Sequence, residues 1–118
     1  MLTIKNDNIV MVDIDSTLLA YFEDEASDPS DYVLIKRNGK DEIFYVLRHN
    51  VNAVYEYHRR EHPVGFWSAG GGEWCTAAVK ALGLDRIGFI AMAKPKWLLD
   101  DKQPEEFLPR SHLAKPKV

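Results

Sequence analysis

The stretch at positions 8 to 15, NIVMVDID, restricts the fold more than any other part of the chain. An apolar run with no polar alternation suits a strand covered on both faces, as in the middle of a parallel sheet. This run ends on two carboxylates, Asp13 and Asp15, one residue apart, followed by the hydroxyls of Ser16 and Thr17. Like charges at the end of a buried strand repel and raise each other's pKa unless a cation or donor meets them. Parallel sheets place their ligand sites at the carboxyl ends of the strands, where these two acids fall.

The rest of the chain continues the pattern. VGFWSAGGG is a second buried-type strand running into glycines, RIGFIAM a third, and KWLLDD a fourth that again ends on paired aspartates. NVNAVYEYHRREH has helical spacing, with Val51, Val54, Tyr55 and His58 on one side and Pro63 beyond its end. EWCTAAVKALGL is an amphipathic helix with Gly83 as its stop. YVLIKRNGKDEIFYVLR is two β-rich runs around Asn38-Gly39, a strong hairpin signal. AYFEDEASDPSD (20–31) is expected to be a loop, and KQPEEFLPRSHLAKPKV a loop and tail. Strands alternating with helices imply an α/β domain with a mainly parallel sheet and a β-hairpin inserted after the first strand.

A length of 118 residues is that of one domain, expected to span 1–118. A net charge of -3 gives no electrostatic case for a stable nucleic-acid complex, although KRNGK makes a local basic tip. The single cysteine, Cys75, excludes an internal disulfide and a multi-cysteine zinc site, and it is expected to be a buried small residue. The N-terminus has no apolar run of signal-peptide length, and no stretch approaches the ~18 apolar residues of a membrane span. A soluble, cytoplasmic protein with no membrane partner is expected. Trp67, Trp74 and Trp97 read as core or rim packing.

If the sheet is parallel, Asp13 and Asp15, Ser68, and Asp100 with Asp101 converge on one edge. Hard oxygen ligands from strand ends suit Mg²⁺, which takes one or two carboxylates plus a phosphate, and Asp13 with Asp100 or Asp101 are the candidate ligands. Ser68 with Ala69, Gly70, Gly71 and Gly72 offers backbone N–H groups to an anion at the start of a helix. Lys94 in AKPKWLLDD adds a point charge for the same oxygens, with Lys96 as its rival. Metal, lysine, hydroxyl and amides are the parts that stabilise a transferring phosphoryl group. The residues themselves do not say which aspartate is the nucleophile.

These motifs resemble those of the haloacid dehalogenase superfamily in its minimal, capless form, similar to small phage and bacterial members. DIDST (13–17) resembles the first motif. GFWSAGG resembles the second, its Trp-Ser-Ala being especially like the carboxy-terminal-domain phosphatase branch. AKPKWLLDDK resembles the third and fourth fused closely together. The likeness covers residues 8–103, leaving 104–118 as a tail. It implies a Rossmann-like three-layer sandwich without a cap domain and a Mg²⁺-dependent phosphatase working through an aspartyl-phosphate. On that resemblance Asp13 is the nucleophile, and Asp15 the acid and base whose backbone carbonyl also meets the metal. Ser68, Ala69 and Lys94 hold the phosphoryl oxygens, and Asp100 and Asp101 complete the metal site. The open site implied admits small esters, nucleotides or phosphorylated macromolecule ends. Glycine is frequent in the family where Ser16 stands here.

Two other functions compete. A phospho-accepting receiver-type domain carries similar parts in another order, with a lone acceptor aspartate in mid-chain. A non-catalytic relative would use the same fold to bind phosphate without turnover.

Overall fold

In the computed structural model, residues 5, 7–21 and 31–108 are described. Most of the expected loop at 20–31 and the end of the expected tail lie outside them. The elements run β1 (Val10–Asp13), β2 (Leu19–Tyr21), β3 (Tyr32–Arg37), β4 (Lys40–Val46), α1 (Arg48–Arg59), β5 (Val64–Ser68), α2 (Gly72–Ala81), β6 (Gly88–Ala93) and α3 (Pro104–Phe107).

The strands form two sheets. β1, β5 and β6 make a parallel sheet in that order, and β2, β4 and β3 an antiparallel one. Helices α1 and α2 occupy the connections from the hairpin to β5 and from β5 to β6, as parallel strands require. α2 packs against β5 and β6 and also against β3, so it joins the two sheets. The architecture is α/β with a parallel three-stranded sheet, and the inserted hairpin is real but larger than expected. Ala20 and Tyr21, at the start of the expected loop, instead form a strand with Leu19 that pairs with β4 as the third strand of that sheet.

The core explains these choices. Val12, Ile14, Leu18, Phe44, Val46, Val51, Val54, Val64, Phe66, Cys75 and Leu84 are all buried in one cluster. Each fully buried Val, Leu, Ile or Phe side chain contributes about 1.5–3 kcal/mol. In α1 the buried positions are Val51 and Val54, as the spacing predicts, while Tyr55 and His58 face solvent. Tyr57 packs on the core in their place. α2 begins at Gly72 and ends as expected just before Gly83. At the β3–β4 turn Asn38 and Gly39 both have positive φ, 53° and 79°. Those values suit a two-residue hairpin turn whose twist matches the strands.

The fourth strand expected at KWLLDD does not form. Residues 94–103 contain no strand, and Trp97 and Leu99 stand 94% and 102% exposed. Only Lys94, Pro95 and Lys96 separate the end of β6 from Trp97, far short of a parallel crossover. Trp97 is therefore neither core nor rim packing. Within the expected tail, Pro104–Phe107 forms one helical turn closed by a capping box between Gln103 and Glu106.

Candidate active site

Register decides which side chains meet. Asp13 pairs with Trp67 across β1 and β5, and Ser68 pairs with Ala93 across β5 and β6. Asp13, Ser68 and Lys94 therefore leave the sheet at one carboxyl edge. The Lys94 backbone N–H donates to the Ser68 carbonyl at 2.8 Å, which carries the sheet's hydrogen bonding one step past the last strand. The Lys94 Nζ lies 4.0 Å from Asp13 Oδ1 and 5.7 Å from the centre of the Trp67 ring. Lys94, not Lys96, is thus the lysine at Asp13.

After Asp13 the chain turns tightly. The Ile14 carbonyl accepts from the N–H groups of Thr17, Leu18 and Leu19, and Ser16 N–H donates to the Leu19 carbonyl. Ser16 sits at φ 63°, a left-handed conformation that a side chain enters at some cost. Ile14 plugs the core, so Asp13 and Asp15 on either side of it turn toward the edge. Thr17 Oγ1 donates to Asp13 Oδ2 at 3.3 Å. Asn50, in the first turn of α1, holds the loop from below by donating its Nδ2 to the Thr17 carbonyl at 2.8 Å.

Asp15 is held differently. Ser68 Oγ donates to its Oδ2 at 2.9 Å, and the indole Nε1 of Trp74 lies 3.2 Å from both of its oxygens. Ser68 Oγ in turn accepts from the Gly70 N–H at 3.0 Å, and the Ser68 carbonyl from the Gly71 N–H at 3.2 Å. Ser68 is fully buried, so in this arrangement its hydroxyl serves Asp15. The glycine loop is also less open to an anion than its sequence implies, since two of its N–H groups close the turn. Ala69 lies exposed at the rim.

Trp74 and Asn50 were not among the sequence-derived site residues. An indole one turn into a helix after a glycine loop is indistinguishable in sequence from core packing, and Trp74 does pack, with its ring 5.1 Å from Phe44. Gly70 makes that position possible. A Cβ there would lie 2.8 Å from Trp74 Cδ1 and 3.3 Å from Ser68 Oγ. Gly70→Ala is expected to tilt the indole off Asp15 and cost about 1–3 kcal/mol. Denaturant melts and tryptophan emission check this, and an unchanged midpoint and spectrum would refute it.

Cys75 lies buried beneath the site. Burial pushes its thiol above the usual range, Asp13 and Asp15 add to that shift, and a backbone hydrogen bond involving Met92 opposes it. It is a neutral packing residue at neutral pH.

The four residues expected to hold a metal are not gathered together. Among the described residues no group of three or more His, Cys, Asp or Glu side chains is placed to hold an ion. Asp100 and Asp101 sit in the exposed segment after β6, where Asp100 Oδ1 accepts the Lys102 N–H at 3.1 Å. Both oxygens of Asp15 are engaged. Asp13, half-buried with one oxygen facing Lys94, fits one position of a Mg²⁺ shell, the lower limit for an ion that keeps its waters and shares a substrate phosphate.

Comparisons with known protein families, with curated proteins and with solved structures found no match.

Proposed function

We propose that the chain is a phosphatase of the haloacid dehalogenase type, hydrolysing a phosphomonoester through an aspartyl-phosphate on Asp13. The observation that carries this reading is the shared edge: Asp13, Asp15 and Lys94 lie together where parallel strands end, with Ser68 beneath them. Thr17 holds Oδ2 of Asp13, so Oδ1 beside Lys94 is the attacking atom. It bonds to phosphorus as the ester oxygen leaves, and Asp15 gives that oxygen a proton. Water then attacks phosphorus, Asp15 takes its proton back, the bond to Asp13 breaks, and inorganic phosphate departs. Lys94 and the Ala69 N–H stabilise the phosphoryl oxygens, while Ser68 and Trp74 hold Asp15 in place.

In this reading the sheet and its helices belong to a Rossmann-like sandwich without a cap, and the site stays open to small esters, nucleotides or phosphorylated macromolecule ends. The Asp13 carboxylate and the Asp15 carbonyl would hold Mg²⁺, which would supply charge neutralisation for the phosphoryl group. Asp100 and Asp101 reach it only if the segment after β6 folds back toward β1. p-Nitrophenyl phosphate should be hydrolysed with Mg²⁺, lose all but background turnover in a chelator, and recover on adding the ion back. Turnover indifferent to chelation would remove the metal from the proposal.

The engagement of both Asp15 oxygens favours a second reading, in which Asp15 is structural and the site binds phosphate without turnover. Phosphate binding with no hydrolysis of any ester, Mg²⁺ present, would select it.

A further inference from the structure

Arg37, the last residue of β3, lies beside the site although the motifs do not include it. Its guanidinium carbon sits 4.7 Å from the centre of the Trp74 ring, the indole that donates to Asp15. Its Nη1 donates to the Tyr21 hydroxyl at 3.1 Å. That hydrogen bond, followed by the charges of Tyr21, Glu42 and Asp15, pushes the guanidinium further above its usual value against the opposing effect of burial. Among the described residues no carboxylate comes within salt-bridge distance of it. Tyr21 and Trp74 both rest on Phe44, so the platform beneath Arg37 is anchored in the core.

An arginine stacked on an aromatic face has its plane fixed and its outer N–H edge presented as a fork, which matches carboxylate or phosphate oxygens. Lys94 stands at Asp13, while Arg37 stacks on the indole that donates to Asp15 and is close enough to feel the charge of that carboxylate. If Asp15 faces the leaving oxygen, Arg37 is on the leaving-group side. We propose that Arg37 is a specificity residue that pairs with a second anionic group on the alcohol portion of the substrate. The site then prefers phosphomonoesters whose leaving group carries its own negative charge. This inference rests on the phosphatase reading above.

The test compares phenyl phosphate with 4-carboxyphenyl phosphate on the unaltered protein and on Arg37→Gln, Arg37→Ala and Arg37→Lys. Gln keeps a donor for Tyr21 and much of the stacked volume, and melting curves confirm that each variant folds. Loss of a charge-assisted pair should raise KM for the carboxylated ester about tenfold or more in Arg37→Gln and Arg37→Ala. kcat/KM for phenyl phosphate should stay within about twofold, and Arg37→Lys should restore part of the difference. Equal losses on both esters, or none on either, would overturn the assignment while leaving the phosphatase reading standing. If the unaltered protein hydrolyses neither ester with Mg²⁺, the phosphatase reading fails and this inference with it.

Discussion

Asp13→Asn is expected to abolish phosphoenzyme formation and lower kcat by about 10⁴-fold or more, the scale seen when a nucleophile is removed. The fold should survive. The amide carbonyl can still accept from Thr17 Oγ1, and Lys94 loses only a partly exposed contact at 4.0 Å, of little worth to stability. Melting behaviour close to that of the unaltered chain, with no acid-stable or hydroxylamine-sensitive phosphoprotein, is the predicted pair of results. Hydrolysis that persists in Asp13→Asn would place the nucleophile elsewhere and sink the mechanism.

Asp15→Asn should have two effects that separate measurements resolve. General acid and base work contributes about 10²- to 10⁴-fold, so turnover per folded molecule should fall by that range, with labelled phosphoenzyme accumulating as its hydrolysis slows. Stability should also drop, by about 1–3 kcal/mol. The carboxylate receives one hydroxyl donor on Oδ2 and an indole N–H shared between both oxygens. An asparagine presents an NH₂ where one oxygen was, setting donor against donor in a site where Ser68 is fully buried and already accepts from Gly70. If stability falls but turnover per folded molecule is unchanged, Asp15 is a brace and not the acid.

These variants act on a site that was legible in the sequence only in part. The acids at 13 and 15 and the lysine at 94 could be named because each ends or follows an apolar run, and polar residues in such places have few structural reasons to be there. Asn50 and Arg37 could not. Each is an ordinary polar residue on a helix or hairpin, and its partner lies elsewhere in the chain. Trp74 was visible only as a large apolar residue, because an indole packs and donates at once. The segment from Trp97 to Asp101 shows the reverse failure. Its composition reads as a strand, yet strand formation depends on an available partner edge, and three residues after β6 do not reach one in parallel.

The sequence by itself determined the alternation of strands and helices, the Asn38-Gly39 turn, the inward positions of Val51 and Val54, and the polar ends of β1 and β5. All of these follow from contacts between near neighbours and from the period of the apolar residues. Tertiary structure alone decided what those ends do. Ser68 reaches Asp15 across 53 residues of chain and Trp74 reaches it across 59, through a register that pairs Asp13 with Trp67. A slip of one residue would turn every side chain on that strand to the other face and dissolve the site.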